Sequence, residues 1–191
     1  MELTTDQKGA IAESAIVHAA IKLGIGVYRP LSDGERYDLI LDLRPRLIRL
    51  QCKWASFHDD VLIIRAYSCR RSRHGLVKRA YSADEIDAIA AYCMALDRCF
   101  YFPIEWLKQR STIQVRVNPS RNNQHTGVNW AEDFSFERLR SDSPGAIAQL
   151  GERLRGTQEV GGSSPPGSIY EQGDRLFPAR ADDRHAKSVA H

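Results

Sequence analysis

Two neighbouring stretches decide the fold: Tyr37-Asp38-Leu39-Ile40-Leu41-Asp42-Leu43 and Leu47-Ile48-Arg49-Leu50-Gln51-Cys52-Lys53-Trp54. Strand side chains alternate between faces, so a period of two marks a half-buried strand. In the first stretch Tyr37, Leu39, Leu41 and Leu43 share one face, and Asp38 and Asp42 the other. In the second, Ile48, Leu50, Cys52 and Trp54 oppose Arg49, Gln51 and Lys53. Pro45 makes a tight link between them, as in a hairpin. Pairing the two strands brings Asp38 near Gln51 and Lys53. A carboxylate, an amide oxygen and an ammonium then converge, a donor set suited to a hard divalent cation and a phosphodiester.

Working outward, Thr5 and Asp6 are candidate N-caps for a helix reaching about Leu23. Ile11, Ala12, Ala15, Ile16, Ala19 and Leu23 recur at helical spacing, and Gly24 suits the helix end. Gly26-Val27-Tyr28-Arg29 reads as a short strand stopped by Pro30, and further strands are expected over 60–68, 99–102 and 112–117. Ser82 and Glu85 form the signature of a capping box. They predict a second helix to about Asp97, with Ile86, Ile89, Ala90, Cys93 and Leu96 on one face. Helix, strands, helix, strand, strand is the order of an α/β sandwich around a mixed sheet.

The chain has 191 residues and a formal net charge of +3, which points to one domain with an appendage and says little about partners. Distribution says more. Arg65, Arg70, Arg71, Arg73, Lys78 and Arg79 follow one another with no acid among them. Alone, such a run reads as a solvated face. Cys52, Cys69, Cys93 and Cys99 lack metal-ligand spacing and read as free thiols of a reducing cytosol. No N-terminal signal segment and no apolar run of membrane-spanning length is visible, so a cytoplasmic protein without a membrane partner is expected. His58-Asp59-Asp60 reads as a polar turn, and Trp54, Trp106 and Trp130 as packing anchors.

Residues 1–140 hold 21 Lys and Arg against 17 Asp and Glu, whereas 141–191 hold 6 against 7. The second segment, with Gly161-Gly162-Ser163-Ser164-Pro165-Pro166-Gly167, cannot build a core and is expected to be a disordered tail. Its residues Ile147–Leu154 can be encoded by ATA GCT CAG TTG GGA GAG CGC TTG, similar to a transfer-RNA D-arm. Gly161–Pro165 can be encoded by GGC GGT TCG AGT CCG, similar to a T-arm. Codons available to Leu154–Gln158 have complementary ends, as in an anticodon stem. The hypothesis is a reading frame that runs through an uninterrupted transfer-RNA gene, against the alternative of an ordinary tail. Codons that cannot pair into a cloverleaf would exclude it.

The chemistry follows from residue types. Asp38 can supply a carboxylate oxygen to a metal, and Gln51 and the Cys52 carbonyl neutral oxygens. Lys53 can orient or deprotonate a water, or stabilise charge on phosphorus, and Glu13 could hold a water at the metal or a second ion. As spacing alone, an Asp and a Gln-x-Lys recur widely, and a solvated face or an internal Asp38–Lys53 pair would explain them too.

Gly9-Ala10-Ile11-Ala12-Glu13, Tyr37-Asp38-Leu39 and Gln51-Cys52-Lys53 together resemble the PD-(D/E)XK nuclease superfamily. More narrowly they resemble its small endonucleases associated with group I introns, over about residues 5–140. That resemblance also takes in Tyr81-Ser82-Ala83-Asp84-Glu85-Ile86-Asp87, Phe100-Tyr101-Phe102-Pro103, Arg116-Val117 and Arg121-Asn122-Asn123-Gln124. It implies a restriction-endonuclease-like α/β sandwich that cuts double-stranded DNA with Mg2+, or Mn2+, as a homodimer or homotetramer. It implies Glu13, Asp38, Gln51 and Lys53 as site residues, with Gln51 where the wider superfamily has Asp or Glu. Such a protein would lie on the nucleoid when bound. Tyr67, Arg70, Arg71, Arg73, Lys78 and Arg79 gain a role on phosphates or in a groove, and Gly75 would let their loop bend. Arg116, Arg121, Asn122, Asn123 and Gln124 form a second polar set able to read bases, although Asn122–Gln124 could equally be a turn. A junction resolvase or repair nuclease of the same fold, or an inactive DNA-binding relic, are the alternative readings. An intact transfer-RNA reading argues against a copy inside an intron splitting that gene.

Overall fold

A computed structural model describes residues 2–32, 34–73, 75–107, 110–119 and 127–140, without the side chains of residues 70 and 71. Residues 121–124 and 141–191, with the tail and its transfer-RNA reading, lie outside the described residues.

The first helix, α1 (Thr5–Lys22), begins one residue before the start that a Thr5 cap would give and two before that of Asp6. Thr4 is its N-cap, in a capping box with Gln7: each backbone N–H is met by the other's side chain. Ala12, Ile16 and Ala20 form its buried stripe.

After α1 come β1 (Gly26–Tyr28), β2 (Leu39–Leu43), β3 (Arg46–His58) and β4 (Val61–Arg65). The β2–β3 hairpin forms as its alternation predicts, with Leu39 opposite Leu50 and Leu41 opposite Ile48. All four are buried. Pro45 sits in the turn, its bond to Arg44 being cis. The expected strand over 60–68 divides at Ala66. The basic segment that follows is a separate hairpin of β5 (Tyr67–Ser72) and β6 (Gly75–Ala80), and β6 is exposed along its whole length. Gly75, at φ 115°, takes a conformation open mainly to glycine at the start of β6.

The expected second helix does not form. Residues Ala88–Cys93 are a strand, β7, parallel to β3 and antiparallel to β8 (Arg98–Pro103). Ala88, Ile89, Ala90, Ala91 and Cys93 are all inaccessible to solvent. A strand covered on both faces reads as a continuous apolar run, and such a run matches a helical template just as well. The capping signature survives as one turn: Ser82 N–H donates to Glu85 Oε2 at 3.2 Å, and Ile86 N–H to the Ser82 carbonyl at 3.1 Å.

The short helix α2 (Ile104–Leu107) and β9 (Thr112–Arg116) follow. The main sheet has seven strands in the order β1-β2-β3-β4-β9, with β7 and β8 joined through β3. It is mixed, the β3–β7 pairing being parallel. α1 packs on β3 and β7, while α2 and two 3-10 turns pack near β8, where Phe102 stacks on Phe134 at 4.7 Å beside Trp106. Trp54 meets Tyr92 edge-on, as a packing anchor would. Asp59 and Asp60, both at positive φ, make the turn between β3 and β4. Among the described residues no helix is long and apolar enough to cross a membrane.

Candidate active site

The register Leu39–Leu50 sets Asp38 opposite Gln51, and Asp38 N–H donates to the Leu50 carbonyl at 2.9 Å. Asp38 Oδ2 accepts the Cys52 backbone N–H at 2.7 Å and a short hydrogen bond from Gln51 Nε2. Gln51 Nε2 also lies 3.5 Å from the Cys52 carbonyl oxygen. The amide nitrogen therefore sits between two oxygens that a cation would share. A half-turn of the amide puts Oε1 at the same point, so a carboxylate, an amide oxygen and a carbonyl fit a hard cation. Among the described residues no cluster of three or more His, Cys, Asp or Glu side chains could hold a metal. A cation at this place would depend on the amide and the carbonyl.

Glu13, on α1 and half-buried, has Arg29 Nη2 3.8 Å from its carboxylate, and its charge is felt at Asp38. Burial raises the Asp38 carboxyl above its usual range, and the Glu13 charge adds to that. The Cys52 N–H, the Lys53 charge and the Gln51 bond act in the opposite direction. Burial pushes the Lys53 ammonium below its usual value, with Asp38 resisting. The Cys52 thiol, buried in the core, is pushed by that burial well above its usual value and is no nucleophile.

Lys53 does not pair with Asp38. Its Nζ donates to the Tyr81 hydroxyl at 2.8 Å and stands 5.1 Å from the Tyr81 ring centre. The Arg36 guanidinium also stacks on Tyr81, at 4.6 Å. Arg36 Nε donates to Glu85 at 3.1 Å and Nη1 to Ser68 Oγ at 2.8 Å. Burial raises the Tyr81 phenol to about 12, so its hydroxyl keeps its proton near neutrality.

Sequence reasoning gave Tyr81 and Arg36 no part in the site. Arg36 has the same parity as Asp38, two residues on, and that was a usable signal. Tyr81 arrives from 28 residues beyond Lys53; it belongs to the Tyr81–Asp87 stretch that carries part of the resemblance, but no spacing ties it to the two strands.

Of the other expected positions, Tyr67, Lys78 and Arg79 lie on the β5–β6 hairpin with Arg73 in its connection. Arg73, Lys78 and Arg79 are exposed. Lys78 stands over the Tyr67 ring at 5.1 Å, and Arg79 pairs with Glu85. Arg70 and Arg71 belong to β5, and their side chains are outside the described set. Arg116 ends β9 in the main sheet, whereas the hairpin is a separate two-stranded sheet. Arg121, Asn122, Asn123 and Gln124 lie outside the described residues.

A family model for PD-(D/E)XK endonucleases matches residues 3–137. The chain belongs to that family and is a nuclease, and nucleases of this kind act on DNA. Among solved structures it is similar to a bacterial homing endonuclease, I-Ssp6803I, at 22% identity and a TM-score of 0.56, over 84% of this chain and 100% of the other. At that identity the likeness carries the restriction-endonuclease-like fold. Among curated proteins nothing matches.

Proposed function

We propose that this chain is a divalent-metal-dependent endonuclease that hydrolyses phosphodiester bonds in double-stranded DNA, of homing type, and works as a homodimer or homotetramer. The observation that carries the reading is the meeting of Asp38, Gln51 and the Cys52 carbonyl at one point on the β2–β3 hairpin, with Lys53 on the same strand face. Mg2+ or Mn2+ bound by these oxygens would supply Lewis-acid activation of the phosphodiester and of the attacking water. The chain's own residues do the rest. Lys53 orients the water or offers its ammonium to the charge that builds on the phosphoryl oxygens. Glu13 adds negative charge beside Asp38 and holds a solvent molecule or a second ion. The basic hairpin, with Tyr67, Arg70, Arg71, Arg73, Lys78 and Arg79, has the shape of a two-stranded ribbon, which the major groove admits. Arg116, with Arg121, Asn122, Asn123 and Gln124, forms a second contact set.

The test is selection. The full chain is incubated with a randomised duplex library and MgCl2 or MnCl2, and the cut ends are sequenced. A defined cut sequence supports the proposal, and the same arms built as a four-way junction should not be preferred. A library left intact with both metals would overturn it.

A further inference from the structure

We propose that Tyr81 is a positioning residue for catalysis, its hydroxyl holding the Lys53 ammonium at the Asp38–Gln51 cluster. The inference rests on the reading of Lys53 given above. A lysine carries its charge on a flexible four-carbon stem with three rotatable donors, so its aim must be set by something else. A half-buried ammonium also needs a hydrogen-bond acceptor. Asp38 does not fill that role: its Oδ2 accepts from Gln51 and Cys52, and the hydrogen bond of the Lys53 Nζ goes to another residue. The acceptor in place is the Tyr81 hydroxyl, 2.8 Å from Nζ.

Tyr81 is itself tightly fixed. It is 8% exposed, so its ring has little room to swing. Arg36 stacks on that ring at 4.6 Å. Arg36 is anchored by Glu85, by Ser68 on β5 and by the Ala80 carbonyl on β6, at 3.1, 2.8 and 3.3 Å. Two cations therefore meet Tyr81: Arg36, tied to the base of the basic hairpin, on its ring, and the Lys53 amine at its hydroxyl. Lys53 takes its position from outside β3, through a residue in contact with the DNA-facing arm.

The experiment uses the full chain and the duplex recovered by the library selection. Tyr81→Phe keeps the ring and removes the acceptor. A displacement of the amine by an ångström predicts a fall of about 10- to 100-fold in the single-turnover cleavage rate in MgCl2. The Kd for the same duplex in CaCl2 and the Tm should stay at wild-type values. A second readout is the lysine ammonium 1H–15N correlation, with the Lys53 signal assigned by its loss in Lys53→Met. That signal should be present in the wild type and lost in Tyr81→Phe. Cleavage by Tyr81→Phe at the wild-type rate, or a Lys53 signal unchanged by it, would overturn the positioning role while leaving the nuclease reading intact. A rate that falls only in step with Tm or Kd would make Tyr81 a packing residue and also overturn it. A wild type that cuts no duplex would remove both readings.

Discussion

Asp87 grips Arg49 through both backbone and side chain: its Oδ2 accepts the Arg49 backbone N–H at 2.7 Å and the guanidinium Nε at 3.1 Å. The same guanidinium reaches the Ala83 carbonyl at 2.9 Å, and the Asp87 N–H donates to the Arg49 carbonyl at 2.9 Å. This clamp joins β3 to the turn that leads into β7 and therefore sets the parallel register beside Gln51 and Lys53. Burial tends to raise the Asp87 carboxyl, but the Arg49 hydrogen bonds and charge outweigh it and leave it lowered. A lowered carboxyl stabilises the fold above its unfolded value of 3.8, and the contribution disappears as pH falls through the folded value below that. Both side chains are 34% exposed, which discounts the pair. Asp87→Asn should lower unfolding free energy at pH 7 by about 1–2 kcal/mol, the low end for hydrogen bonds to charged groups. The difference from wild type should vanish in urea melts as pH falls below 3.8.

Asp38→Ala and Lys53→Ala should each abolish cleavage in MgCl2 and spare duplex binding in CaCl2. Gel-shift titrations beside single-turnover assays measure the two properties. Activity equal to wild type in both variants would dismiss the assignment of the site.

The basic hairpin should act through phosphates. Replacing Arg73 and Lys78 together by Ala should weaken binding about equally for all duplex sequences. For each phosphate that these two side chains neutralise, the slope of log K against log salt should shrink by about 0.9. An unchanged slope would place the DNA on another surface.

β7, on which α1 packs, is built of small residues, with Ala88 and Ala90 on one face and Ala91 on the other, all at 0% exposure. Space there is already filled. Ala90→Leu should destabilise the chain by about 1–3 kcal/mol through overpacking. Chemical denaturation checks this, and a neutral result would mean that the helix can lift from the sheet at little cost.

That strand is also where sequence reading failed. The β2–β3 hairpin was legible because one face is buried and the other is not, which leaves alternation in Leu39, Leu41, Ile48 and Leu50. From Ala88 to Cys93 both faces are covered, so nothing polar remains to report the period, and the Ser82–Glu85 cap tipped the reading toward a helix. The site divides in the same way. Asp38, Gln51 and Lys53 come from adjacent strands and declare themselves by parity. Arg36 shares that parity, but Tyr81 meets Lys53 only after the hairpin base and the clamped turn have folded together. Contacts between distant segments leave no local pattern.

β3 runs for 13 residues and shares its edges with β2, β7 and β4. Gln51 and Lys53 ride near the middle of that beam, where neighbours bind the backbone closely. Adjusting one of them by moving its main chain would disturb three ladders at once. Changes in cutting speed or in tolerance for a cation are therefore more easily made in side groups carried by other segments, Glu13 on α1 and Tyr81 just before the clamped turn, than in the beam itself.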